Sequence, residues 1–354
     1  MNLLDRAIAK RASQGIETAL IGGAGATAFV LLGIPAGAVL GAILATAGAS
    51  LAGRRLGWPK AVRTIMFMVM GYSAGASATP SAIQAALLWP LSLLALLAAT
   101  GAMWFAGWFV YRRLSSTDGR TAFYAAAPGA LSTVLALAEQ QGTDVRKVAV
   151  AQSMRLLILV CLSPLASAAG RPALMPPGDS PLIQGLWGWA VALAAVLAGW
   201  AIIARLRWPA APFLGALLGS IAVHSTGVIH AVPSPEALLL AGAVLGALIG
   251  SRFSGLRFSD IARESPAVLA LVGVMALIGA PVGALVGAAV GVGPLAGMMA
   301  FAPGSMEVMV AVSLTLNAHP AYVAAHHLAR TFMLIAVMPA LAVLTRRLKR
   351  QGEN

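Results

Sequence analysis

The chain carries one pattern twice, 175 residues apart. Residues 127–164 read APGALSTVLALAEQQGTDVRKVAVAQSMRLLILVCLSP, and residues 302–339 read APGSMEVMVAVSLTLNAHPAYVAAHHLARTFMLIAVMP. At that offset Pro128 matches Pro303, Gly129 matches Gly304, Arg155 matches Arg330 and Pro164 matches Pro339. A period this long marks a duplicated domain, not a solenoid of short units. Weaker matches extend it toward each start. Pro35 with Leu40-Gly41-Ala42 resembles Pro209 with Leu214-Gly215-Ala216, and Gly71 and Gly75 match Gly246 and Gly250. The expected organisation is an N-terminal repeat at 1–169, a Pro- and Gly-rich linker loop at 170–183, and a C-terminal repeat at 184–354.

What such a repeat can be is bounded by composition. The chain is 59% hydrophobic and 10% charged, whereas a soluble domain carries about 25% charge. That predicts an all-α polytopic membrane protein. Spans need about 20 apolar residues and are expected near 16–33, 35–53, 61–79, 82–111, 145–169, 184–204, 209–226, 235–251, 265–291 and 320–344. The N-terminus is basic, then apolar, without a clean cleavage site, so a retained first span is expected. The net charge of +13 fits cytoplasmic loops and anionic lipid. No nucleic-acid module or basic stripe interleaved with aromatics is present, so no nucleic-acid partner is expected. The single cysteine, Cys161, excludes an intramolecular disulfide framework and a cysteine-based metal site.

Two apolar stretches remain, 121–140 and 294–317, each centred on an Ala-Pro-Gly motif. If both enter the bilayer and return on the same side, each half has five crossings and the second half is inverted. With the N-terminus inside, 21 of the 24 basic residues then lie on the cytoplasmic side. If both stretches cross fully, Arg146, Lys147, Arg205, Arg207, Arg252, Arg257 and Arg263 move outside and the asymmetry collapses. The positive-inside rule therefore favours two inverted repeats of five transmembrane helices plus one re-entrant hairpin each. Both termini are then cytoplasmic, in a bacterial inner membrane. Pro breaks a helix and Gly permits the turn. Non-helical backbone at membrane depth is tolerated where it is buried or lines a cavity, and broken helices meeting near the midplane are where secondary transporters place their sites.

The chemistry-bearing residues sit on these motifs. Arg155 and Arg330 come about ten residues, or roughly 15 Å, into their spans. A buried Arg keeps its proton, so each must find a carboxylate, carbonyl, water or substrate. Two roles are open and can coexist: stapling a hairpin to its neighbour through backbone carbonyls, or holding an anionic substrate. His327 lies three residues before Arg330 on the same face, and Gln152 occupies the matching place in the first half. His327 suits either proton relay or a bond to a hairpin carbonyl. Glu307, matched by Ser132, is a costly carboxylate in an apolar hairpin, and its simplest partner is Arg330. The helix starts after each Pro-Gly expose N–H groups from Ala130 to Ser132 and from Ser305 to Glu307, which favour anions. The substrate-binding set is thus Pro128, Gly129, Ser132, Gln152, Arg155, Pro303, Gly304, Ser305 and Arg330, with Glu307 and His327 as coupling residues. Asp144 and Asn317 read as caps or loop residues, His326 as packing or lining a second surface, and His224 and His230 as ordinary loop residues.

With its repeats aligned, the chain resembles the AbrB-type bacterial integral membrane proteins. In these a duplicated module carries Pro-Gly, then an acidic residue, then His-x-x-Arg. The second copy here, APGSME with His327 and Arg330, fits; in the first, Ser132 replaces the acid and Gln152 the His. Members of that family carry the label ammonia monooxygenase, and the family name is shared with a soluble DNA-binding regulator. Neither follows from these residues. The five His are scattered, whereas a copper site needs a compact ligand set, so no enzyme activity and no cofactor or metal is expected. The expected function is secondary transport of a small organic anion by alternating access, with proton coupling. The alternatives are a membrane-embedded sensor of the same ligand and a metalloenzyme using Glu307, His326 and His327. Lipid is the other partner, and spans rich in small residues leave a homo-oligomer open.

Overall fold

A computed structural model of the chain describes residues 3–77, 89–129, 131–167, 182–208, 210–226 and 231–351. These residues form fourteen α-helices and no strand. The first half holds α1 (Leu3–Leu31), α2 (Gly37–Leu51), α3 (Lys60–Ala76), α4 (Trp89–Leu114), α5 (Gly119–Ala126), α6 (Leu131–Gln140) and α7 (Val145–Ser167). The second holds α8 (Leu182–Arg205), α9 (Ala211–His224), α10 (Pro235–Gly250), α11 (Phe258–Ala289), α12 (Pro294–Phe301), α13 (Met306–Thr315) and α14 (Pro320–Gln351). The linker expected at 170–183 lies outside the described residues, apart from its last two, which open α8.

Five of the described helices are long and apolar enough to cross a membrane: Trp89–Leu114, Gly185–Arg205, Pro235–Phe253, Phe258–Ala289 and Pro320–Met338. Gly37–Leu51, Ala211–His224 and Met306–Thr315 are apolar but shorter. This is an all-helical membrane protein.

The sequence repeat is repeated in the backbone. Both bounds of α5 and of α6, shifted by 175, give those of α12 and α13. Ala36 and Ala210, each one residue after a matched proline, both adopt the left-handed conformation before α2 and α9. The halves also pack reciprocally: α2 lies on α10 while α9 lies on α3, and α4 crosses α11. Glycine permits these approaches. A Cβ on Gly71 of α3 would stand 2.2 Å from the Phe213 carbonyl oxygen of α9, and one on Gly246 of α10 would stand 2.4 Å from that of Val39 of α2.

Each Ala-Pro-Gly motif breaks its apolar stretch. Proline disfavours helical backbone at the residue before it, and Ala127 and Ala302 are extended, with ψ 122° and 136°. Gly129 follows with φ +105°. Upstream, Asp118 caps α5. Burial raises its carboxyl pKa, but bonds from Thr121 and from the Thr121 and Arg120 amides outweigh that and hold it below the usual carboxylate range.

Beyond the break the chain turns back. The amide of Asp144, after α6, donates to Thr121 Oγ1 at the start of α5 at 3.1 Å, and Lys147 Nζ donates to the Ser116 carbonyl at 2.7 Å. Side chains of α7 meet α5 in ascending register, Gln152 at Tyr124 and Arg155 at Ala127. The same holds for α14 and α12, with His327 at Met299 and Arg330 at Ala302. Helices that run parallel in this way require the intervening helix, α6 or α13, to run back.

Candidate functional site

The two hairpin tips meet. A Cβ placed on Gly129 would lie 3.5 Å from the Gly304 carbonyl oxygen, and Pro128, Pro303, Gly304 and Ser305 are buried with them. Behind each tip stands the long helix that follows the hairpin, presenting one polar pair to the C-terminal carbonyls of the short helix.

In the first half Gln152 Nε2 donates to the carbonyls of Tyr124 (3.1 Å), Ala125 (3.4 Å) and Ala127 (2.9 Å). Arg155 donates to the Ala127 carbonyl (2.8 Å) and to Gln152 Oε1 (2.5 Å). In the second half His327 Nε2 bonds the Met299 carbonyl (3.0 Å), and Arg330 donates to those of Ala302 (2.5 Å) and Ala300 (2.6 Å). The last carbonyls of a helix have no intrahelical partner and form its negative end; a guanidinium there satisfies both needs. The stapling role read from the sequence is therefore present in both halves.

The charges are not otherwise balanced. Arg155 and Arg330 are each 1% exposed and near enough to act on each other electrostatically. Among the described residues, the ion pairs are Arg54 with Glu17 and Arg146 with Asp260, both away from the tips. Each central guanidinium also keeps a buried Nε–H without a partner.

The pair expected between Glu307 and Arg330 does not form. Arg330 is turned to the hairpin carbonyls, and the cation on which Glu307 acts is Arg252, in the short 3-10 turn after α10. Ser305 caps no amide of α13 although it holds the N-cap position, and its buried Oγ has no partner. Ser132 lies in the first turn of α6, and its side chain is outside the described residues.

Other sequence readings divide. Asp144 accepts from the Lys147 amide at 3.0 Å and so caps α7, as expected. His326 packs: it bonds Ser92 Oγ at 2.7 Å and lies tilted against Tyr322 with ring centroids 3.9 Å apart. His224 is no loop residue. It ends α9, is buried, and bonds the Ser220 and Ala231 carbonyls; His230 is outside the described residues. No group of three or more His, Cys, Asp or Glu among the described residues is placed to hold a metal ion.

Two features were not read from the sequence. One is Arg252, which looks like any basic residue beyond a span. The other is Glu264, which is buried and accepts from Tyr111 Oη at 2.8 Å. It precedes the expected span 265–291 by one residue and follows Asp260 and Arg263, so it reads as part of a charged loop.

Comparison with known proteins adds kinship. A family model described as "Transition state regulatory protein AbrB" matches residues 39–346. The chain is similar to "Putative regulator AbrB" of Escherichia coli (strain K12), 26% identical over 326 residues covering 89% of this chain and 91% of that protein. It is also similar to "Uncharacterized protein YhjN" of Bacillus subtilis (strain 168), 29% identical over 254 residues covering 65% of each. In that second match the chain spans just under two thirds of its relative's length.

Proposed function

We propose that this chain, which belongs to the AbrB family, is a secondary transporter that moves a small organic anion by alternating access. One observation carries the reading. Two fully buried guanidiniums stand within electrostatic reach of each other at the meeting of two broken-helix hairpins, with no carboxylate bound to either among the described residues. Ionisable groups inside a membrane protein are costly and mark substrate or ion pathways, and a pair of like charges gains most from an anion. The helix starts beyond the tips add partial positive charge on the same side. Arg155 and Arg330 hold the anion with the α6 and α13 amides, Gln152 and Ser305, while Glu307 and His327 carry coupling protons.

The architecture proposed with this function is ten spans in two inverted repeats of five, each with one re-entrant hairpin. It rests on reciprocal packing of the halves, on contact between the start and end of the first hairpin, and on the distribution of basic residues. Both termini are cytoplasmic in an inner membrane.

A panel of acetate, lactate, succinate and citrate, tested for thermal stabilisation of the purified protein and for flux into proteoliposomes, checks the function. At least one anion stabilises the wild type and is transported, and Arg330→Gln loses both effects while staying folded. If Arg330→Gln binds and transports normally, the assigned role is wrong. The name of the Escherichia coli relative favours a second reading, a membrane-embedded sensor of the same ligand; stabilisation without flux would select it.

A further inference from the structure

The basic residue best placed to exchange partners is neither of the clamping pair. Arg155 and Arg330 each spend both terminal nitrogens on hydrogen bonds. Arg252 does not: its Nη1 is shut off from solvent and has no partner. It acts electrostatically on Glu307, yet the two do not close into an ion pair. Glu307 is the second residue of α13, a helix of ten residues whose N-terminal amides are not capped by Ser305. Ser305 is 8% exposed with an unbonded Oγ. An unpaired guanidinium nitrogen just past the end of α10 and an unbonded hydroxyl at the uncapped start of α13 therefore lie where these two packed helices meet, with the Glu307 carboxylate two residues from that hydroxyl. The exposed Arg63, in the first turn of α3, adds a second positive charge beside Arg252.

We propose that Arg252 is a substrate-binding residue, and that an incoming carboxylate takes the place of Glu307 against it. The inference rests on the anion-transport reading above and deepens it. With the Nε–H groups of Arg155 and Arg330, which have no partner, the anion is held by Arg252 Nη1, Ser305 Oγ and the α13 amides. Glu307, losing its cation, takes a proton from bulk water and forms a neutral O–H. The carboxylate that meets Arg252 brings one negative charge as Glu307 loses one, so the charge beside Arg252 is unchanged and anion and proton move together. The elements packed on α13 are α3, α7, α10, α12 and α14. Of their charged or titratable groups, Arg155, His327 and Arg330 stand at the tips, Tyr72 donates to the Ala231 carbonyl, and Tyr322 and His326 pack on each other; Arg252, just past α10, acts on Glu307, and Arg63 acts on Arg252. The acid these elements carry is Glu236, exposed in the first turn of α10 at the end away from Arg252, so the proton goes to Glu307.

The test adds the pre-neutralised potassium salts of acetate, lactate, succinate and citrate to detergent-purified protein in weak buffer with a pH-indicator dye, alongside thermal shift. In the wild type, the anion that stabilises the protein also takes up about one proton per anion bound. Glu307→Gln binds that anion without proton uptake. Arg252→Gln binds it about 100-fold more weakly, and Arg252→Lys recovers part of the loss. The unliganded melting temperature of each variant verifies its fold, and the wild-type proton count needs no variant. The inference is overturned by wild-type binding without proton uptake, by undiminished uptake in Glu307→Gln, or by wild-type affinity in Arg252→Gln. If none of the four anions stabilises the wild type, the anion-transport reading itself fails.

Discussion

The guanidinium groups of Arg155 and Arg330 come from different halves of the chain, yet they lie close enough for their charges to repel. Each is held by carbonyls of its own hairpin. Removing either charge should relieve the other. Arg155→Gln and Arg330→Gln each lower the melting temperature, because hairpin carbonyls lose a charged donor. The double variant loses less than the sum, with a coupling of about 1–2 kcal/mol. A double-mutant cycle by thermal or denaturant unfolding measures this, and strict additivity would mean that the charges do not interact.

His327 and Gln152 do the same work at matched positions, each bonding the carbonyl four residues before the hairpin proline. His327→Gln therefore keeps the Met299 carbonyl satisfied and changes stability by less than about 1 kcal/mol, whereas His327→Leu leaves it buried and unbonded at a cost of about 1–3 kcal/mol. Equal unfolding midpoints for the two variants would show that the bond contributes nothing.

The tips are aligned in sequence but not equivalent in backbone. Gly129 has φ +105°, while Gly304 is absent from the positive-φ residues and faces the flexible side chain of Met309. Gly129→Ala costs about 1–3 kcal/mol through backbone strain, and Gly304→Ala costs less, because Met309 can shift. The order of the two melting temperatures decides it.

This inequality shows where the sequence was informative. Helix breaks at both Ala-Pro-Gly motifs, duplicated element bounds and the polar pairs behind the tips were legible, because proline chemistry and register act locally. Partner choice was not. Glu307 acts electrostatically on Arg252, 55 positions earlier in the chain, and the packing of α13 on α10 brings the two into range. Glu264 was missed for a similar reason: one turn of helix separates a solvated loop charge from a buried carboxylate, and hydropathy windows blur that boundary.

Glu264 offers its own check. Tyr111 Oη donates to its buried carboxylate at 2.8 Å. Tyr111→Phe removes that donor and costs about 2 kcal/mol. Adding Glu264→Gln to the same chain recovers part of the loss, since a neutral amide is cheaper to bury than a carboxylate. If Tyr111→Phe unfolds with the wild type, the carboxylate has other means of support.

The inverted arrangement makes the sharpest demand on topology. Ser116 and Gln140 flank the first hairpin, and Gly291 and Asn317 flank the second; all four are exposed. In a Cys161→Ser background, single cysteines at positions 116 and 140 react with a membrane-impermeant maleimide only from the cytoplasmic face, while those at 291 and 317 react only from the outside. Labelling of 116 and 140 from opposite faces would turn the first stretch into a full crossing. Labelling of all four from one face would leave the hairpins re-entrant but not inverted, and two hairpins entering from the same side could not serve an anion alternately from both.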